Sequence, residues 1–333
     1  MITDARVLQP EFIPREVEHR NQEVNHLSNA LRPIMDGEAA QTTLLTGPSG
    51  AGKTCIAQFT VEKLRENVLD INSQYINCWQ DYTRFRVLYR VLEGIGKTVD
   101  IHRRSTPKDE LLERLQQYDG PQYVVVLDEV DQLEDKSVLY DLYRARNISM
   151  VMMANREKDL FSQLDGRLTS RLQSCTRIRF EKYHLDELVS ILEARVRWGL
   201  SEDVIGKQQL ALIADGAAGD ARVAIGILRN AARRADQEGA DTITNEILHD
   251  AIPGGKQEVR QKAVSQLTPH QHALYEILQD EGELSPGELY EHYTERVDEP
   301  KTKRTVRNYL SKMNQYRLVV SEGKNRARTY RVR

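Results

Sequence analysis

Apolar positions in the first 180 residues gather in short β-branched runs separated by amphipathic stretches; from Phe180 to Ala251 they recur at helical spacing. The alternation predicts a parallel α/β sheet with strands near Thr42–Thr46, Gln74–Trp79, Tyr123–Leu127, Ser149–Ala154 and Thr176–Phe180, the two most apolar of them central. Helical patterns then cover Leu185–Trp198, Lys207–Ala214, Ala221–Ala235 and Thr244–Ala251, predicting a separate helical domain. Pro253-Gly254-Gly255 should end it as a linker, because proline cannot continue a helix and paired glycines leave the backbone loosely constrained. The last segment reads as helices over Pro269–Gln279, Pro286–Tyr293 and Thr302–Gln315. Two short strands follow, Leu318–Ser321 and Thr329–Val332, around a Gly323-Lys324-Asn325 turn. That order describes a winged helix-turn-helix. The expected domains are 1–180, 181–254 and 255–333, with no internal repeat or low-complexity tract.

Length and composition agree with two or three folded domains: 333 residues, 40% hydrophobic and 29% charged. No apolar run approaches the roughly 20 residues of a membrane span, and the N-terminus lacks the apolar stretch of a signal peptide, so a cytoplasmic location is expected. Cys55, Cys78 and Cys175 form no C-x-x-C pair, which argues against a disulfide framework or a Cys-rich zinc site. The net charge of −3 conceals an uneven distribution. From Lys301 to Arg333 there are 11 Lys and Arg against one acid, Glu322, while Leu267–Pro300 carries nine acids and one base. Such polarity orients a module on DNA or RNA.

The chemistry sits in the first half. Gly47-Pro48-Ser49-Gly50-Ala51-Gly52-Lys53-Thr54 fits G-x-x-x-x-G-K-[ST], follows apolar Leu44-Leu45 and precedes the helical stretch Ile56–Leu64. Glycines let such a loop turn its backbone N–H groups inward onto phosphate oxygens, and the helix N-terminus adds partial positive charge. Lys53 would neutralise β/γ-phosphate charge, and Thr54 would offer its hydroxyl to Mg²⁺. Val124–Leu127 is an apolar strand ending in Asp128-Glu129. Asp128 can hold the Mg²⁺ coordination sphere, and Glu129 can orient or deprotonate the attacking water. Asn155 follows another apolar run, Met150–Ala154, and lies beside Asp128 if the two strands are neighbours.

Together these motifs and the trailing helical domain resemble the AAA+ ATPases. With the winged helix the chain resembles the archaeal Orc/Cdc-type replication initiators over nearly its whole length. Further matches are Phe12-Ile13-Pro14 with His19-Arg20, Tyr75-Ile76-Asn77-Cys78 leading into Tyr82–Leu88, and Gly219-Asp220-Ala221-Arg222. The resemblance implies an AAA+ parallel-sheet ATPase body, an all-helical lid and a C-terminal winged-helix domain. It also implies slow, switch-like ATP hydrolysis with Mg²⁺, duplex origin DNA and the MCM helicase as partners, and a nucleoid-associated protein that pairs with itself or a paralogue on DNA. Arg222 corresponds to the lid arginine that reaches the γ-phosphate. Arg171 sits where an arginine finger is placed, with Arg167 competing. Tyr82, Phe85 and Tyr89 recur at helical spacing and should pack, leaving Arg84, Arg86 and Arg90 for DNA phosphates. In the winged helix, Lys301, Lys303, Arg304, Arg307 and Asn308 flank the helix that enters the major groove, and Arg326 and Arg328 lie on the wing.

Two other readings share these parts: a DNA motor of the Holliday-junction branch-migration type, and an ATP-sensing transcription regulator. Branch-migration motors carry a threonine-rich strand end and an inserted β-hairpin, where this chain has Met153-Ala154-Asn155 and a helical Arg/Tyr stretch.

Overall fold

The computed structural model describes residues 1–99, 101, 107–323 and 328–333, in two compact units, Met1–Ile252 and Pro253–Arg333. Strands β1 (Thr43–Thr46), β2 (Ile71–Asn77), β3 (Gln122–Asp128), β4 (Ile148–Ala154) and β5 (Thr176–Arg179) form one parallel sheet in the order β2-β3-β4-β1-β5. Helices α1 (Asn21–Leu31), α2 (Lys53–Asn67), α3 (Arg84–Glu93), α4 (Lys108–Gln116), α5 (Ser137–Arg144), α6 (Glu157–Phe161) and α7 (Gly166–Leu172) belong to this layer arrangement. The two most apolar strands, β3 and β4, are interior and buried on both faces. Their side chains alternate between two cores. Val125, Leu127, Met150 and Met152 pack with α3, α5 and α7, whereas Val124, Val126, Val151 and Met153 pack with α1 and α2.

The lid helices α8 (Leu185–Gly199), α9 (Lys207–Ala217) and α10 (Ala221–Glu238) follow β5, with Leu188, Leu192, Ile213, Ile227 and Leu228 buried among them. Helix α11 spans Asn245–Ser265, which corrects the linker expected at Pro253-Gly254-Gly255: the helix continues through that stretch. Proline removes one N–H and frees the carbonyl four residues earlier, and that residue, His249, is exposed, so water can satisfy it. Strand β2 is likewise displaced from the expected Gln74–Trp79. Ile71 pairs with Gln122 and Asn77 with Asp128, while Cys78 and Trp79 turn off the sheet as buried core residues.

In the second unit, α12 (Pro269–Glu281), α13 (Pro286–Arg296) and α14 (Lys303–Gln315) precede the antiparallel hairpin of β6 (Val319–Glu322) and β7 (Thr329–Val332). Val306, Leu310 and Met313 of α14 face the core with Leu274, Leu289 and Leu318. The Gly323-Lys324-Asn325 turn and Arg326 lie at or beyond the edge of the described residues: Gly323 is the last one described before them. No described helix is long and apolar enough to cross a membrane.

Candidate nucleotide-binding site

The loop between β1 and α2 is built on backbone that only glycine adopts easily. Gly47, Gly50 and Gly52 have φ of +149°, +75° and +93°. Each also lacks room for a side chain. A Cβ would fall 2.3 Å from Phe180 O at Gly47, 1.9 Å from Asp220 Oδ1 at Gly50 and 2.3 Å from the Tyr183 hydroxyl at Gly52. The loop is therefore a bare backbone cradle, closed on one side by the first residues of the lid. Ala221 N donates to Gly50 O at 3.1 Å, and Asp220 caps α10 by accepting from the Arg222 and Val223 amides.

Lys53 opens α2 and is buried. Its ammonium donates to Gly47 O at 2.6 Å, Pro48 O at 2.9 Å and Asn155 Oδ1 at 3.3 Å. The pairing of β4 with β1, Ala154 opposite Thr46, brings Asn155 to the loop, and the pairing of β4 with β3 sets it beside the strand that ends in Asp128. Thr54 Oγ1 donates to Asp128 Oδ2 at 2.7 Å, and the Tyr75 hydroxyl donates to the same oxygen at 2.9 Å. Burial, then the adjacent Asp128 carboxylate, hold the Tyr75 phenol far above its ordinary pKa, so it remains a donor at any working pH. Glu129 follows with φ of 58°, an uncommon left-handed conformation for a glutamate, and lines the same cleft.

One cleft gathers Gly50, Gly52, Lys53, Thr54, Asp128, Glu129, Asn155 and Arg222. Its remaining wall is mostly apolar, with Pro10, Pro14 and Val17 of the N-terminal segment, Tyr183, Ile191 and Ala194 near the start of the lid and along α8, and Ile225 of α10, and it also carries Glu16, Glu18 and Arg195. A polar, donor-rich end beside an apolar end suits a triphosphate joined to a flat base. The glycine cradle fits phosphate oxygens, and the converging Thr54 hydroxyl and Asp128 carboxylate are hard oxygen donors of the kind Mg²⁺ takes. When bound, that ion would neutralise phosphate charge. In this geometry Glu129 and Asn155 can orient a water toward the terminal phosphate, and Lys53 and Arg222 can meet its oxygens.

The remaining arginines are placed differently from the sequence expectation. Arg84 pairs with Asp141 at 2.8 Å, and Arg90 pairs with Asp81 at 2.9 Å and Glu93 at 2.8 Å. Both are therefore engaged within the body, while Arg86 is exposed, donates to Gln80 O and lies 5.8 Å from the Tyr82 ring. Phe85 and Tyr89 pack as a stripe, but Tyr82 lies outside α3, which begins after the Thr83 cap. Arg171 is half-buried over the Tyr140 ring at 4.8 Å, whereas Arg167 is exposed on the first turn of α7. On α14, Lys303, Arg304, Arg307 and Asn308 are exposed along one face, with Lys301 half-exposed just before it. Arg328 is exposed on the wing, but Lys312 is 3% exposed and belongs to the interior. Tyr183 and Arg195 line the cleft, and Tyr75 reaches Asp128 from outside its wall; sequence reasoning assigned none of the three a role. Tyr75 lies in the quoted Tyr75–Cys78 match, and only strand register gives it a role.

Two family models match the chain: the Cdc6 AAA+ ATPase-type lid domain over residues 189–252 and an AAA domain over residues 36–164. The chain is 55% identical over 330 residues to ORC1-type DNA replication protein 9 of Halobacterium salinarum, covering 99% of this chain and 93% of that one. It is 60% identical over 308 residues to ORC1-type DNA replication protein 1 of the same organism, covering 92% and 100%. Among solved structures it is similar to the Aeropyrum pernix ORC1 protein in complex with DNA, at TM-score 0.76 and 26% identity, over 99% of this chain and 93% of that one.

Proposed function

We propose, from the premise that this chain belongs to the ORC1-type DNA replication protein family, that it is an ATP-gated binder of origin DNA that helps load the MCM replicative helicase. The observation that carries this reading is the single cleft shared by the phosphate loop, Asp128-Glu129 and the lid arginine Arg222, because a group held by both body and lid makes lid position depend on the terminal phosphate. Hydrolysis then serves as a slow switch, with Glu129 and Asn155 handling water, and Lys53, Thr54, Asp128 and Arg222 handling the triphosphate and its Mg²⁺. The same reading retains a body over 1–180, a lid over 181–254 and a DNA-binding winged helix over 255–333, in a nucleoid-associated protein.

DNA contact is assigned to the exposed row Lys303, Arg304, Arg307 and Asn308, with Lys301 and Arg328 beside it and Arg86 on the body. Arg84 and Arg90 would have to leave their ion pairs first. Self-association on DNA would use Arg167 as the residue reaching a neighbour's nucleotide, since Arg171 is held against Tyr140. Membership in an initiator family supports this reading over a branch-migration motor or a transcription regulator.

The test is affinity for an origin-flanking duplex against a random one, at fixed salt with ATP. Preference for the origin by about 10³-fold or more is the expected result, and equal affinities would overturn origin marking. In the same assay Arg307→Ala should lower the slope of log affinity against log salt by about 0.9, as loss of one phosphate contact predicts.

A further inference from the structure

The first twelve residues are fastened to the lid. Ile2 bridges Leu200, the Thr3 and Asp4 amides donate to Gly199 O at 3.0 and 3.2 Å, and the Met1 ammonium meets Asp236 of α10 at 3.3 Å. Val7 and Leu8 are buried so close to α8 that a Cβ at Gly199 would lie 3.2 Å from each. From α10, Arg229 donates to Gln9 Oε1. From α8, Arg195 donates through one terminal nitrogen to Val7 O at 2.7 Å and through the other to Phe12 O at 3.0 Å, with its guanidinium 5.0 Å from the Phe12 ring. The segment next crosses the nucleotide cleft, giving Pro14, Val17 and Glu18 to its wall. It is then anchored at the end of β5, where Arg20 donates to Glu181 O at 2.5 Å and stacks 4.2 Å from the Tyr183 ring.

Arg195 is the unusual member of this set. It is 7% exposed, and among the described residues its partners are two carbonyls and a ring, with no carboxylate in salt-bridge range. Burying a guanidinium without a counter-ion is unfavourable unless its donors are well satisfied, and its planar fork can serve two carbonyls at once. A buried cation spent on the backbone of a terminal segment indicates that the position of that segment matters. Burial also lowers the Arg195 pKa from its ordinary value.

We propose that Arg195 is a positioning residue for nucleotide binding: by gripping Val7 and Phe12 it makes the N-terminal strap a moving part of the lid, so that the base end of the cleft forms only when the lid carries the strap across it. This rests on the reading that ATP occupies the cleft. The triphosphate end is built by the glycine loop and β3, which the strap does not touch through Arg195, so the two ends of the ligand separate the role from a general effect on folding.

The experiment measures binding of ATP, ADP and inorganic tripolyphosphate to the full chain and to Arg195→Ala, Arg195→Lys and Gln9→Ala. Arg195→Ala should weaken ATP and ADP by about tenfold each, the scale of one or two charge-assisted hydrogen bonds, and leave tripolyphosphate within about twofold. Arg195→Lys should fall between, because an ammonium reaches one carbonyl well but lacks the fork. Gln9→Ala loosens the strap at its Arg229 contact and leaves the Arg195 guanidinium in place, and should weaken ATP by about threefold even if Arg195→Ala proves unstable. Unchanged ATP affinity in Arg195→Ala, or in Gln9→Ala where the former does not fold, would overturn the proposal, as would equal losses for ATP and tripolyphosphate. Failure of the unmutated chain to bind ATP would instead remove the nucleotide reading on which the proposal stands.

Discussion

Glu129→Gln should slow ATP hydrolysis by about 10²–10⁴-fold while leaving ATP affinity within a few-fold, the signature of a residue that acts on water rather than on bound nucleotide. The substitution is nearly isosteric and keeps a side chain that the left-handed backbone at this position already accommodates. What it removes is the carboxylate that lines the cleft one residue beyond Asp128. Single-turnover hydrolysis alongside equilibrium binding checks both halves. An unchanged rate would move the water-handling role to Asn155 or Asp128. A matching loss of affinity would mean that Glu129 holds the nucleotide instead.

Lys53→Ala should weaken ATP by at least about a hundredfold, since hydrogen bonds to charged groups contribute roughly 1.5–3 kcal/mol each and the ammonium can reach more than one phosphate oxygen. The effect has a second component. Lys53 also donates to Gly47 O and Pro48 O, holding the two ends of the loop together, so its removal leaves those carbonyls without their ammonium donor and loosens the cradle. Calorimetric titration measures the affinity, and thermal unfolding without nucleotide measures the loop contribution. Affinity within tenfold of the unmutated chain would contradict the assignment of this loop as the phosphate site.

The parts of this site that lie close together in sequence were legible from it. The phosphate loop is a local device: its glycines, the apolar run before it and the helix after it occupy about twenty consecutive residues, and the pattern already contains the backbone geometry. Asp128 and Asn155 were legible through their strands, because buried apolar runs of that length specify interior neighbours in a parallel sheet. Other features depend on residues far apart. Tyr75 meets Asp128 across 53 positions, and only the pairing of β2 with β3 brings them together. Arg84 meets Asp141 across 57 positions, so an arginine that reads as free for DNA is occupied. Arg195 reaches Val7 across 188 positions, a distance over which periodicity carries no information. The Pro253-Gly254-Gly255 reading failed for a different reason: an interior proline is disfavoured in a helix but does not by itself end one, and the carbonyl it frees belongs to exposed His249, where water can meet it.

ATP-gated DNA binding requires that the triphosphate cleft in the first unit and the DNA grip of the second be thermodynamically coupled. The measurement that tests it most directly is duplex affinity with and without a non-hydrolysable ATP analogue, paired with analogue affinity with and without duplex. A coupling of about 1–3 kcal/mol would appear as a 5–150-fold change, identical in the two directions because linkage is reciprocal. Lys53→Ala should abolish both changes. Equal duplex affinity in the presence and absence of the analogue, measured where the analogue is bound, would contradict the account.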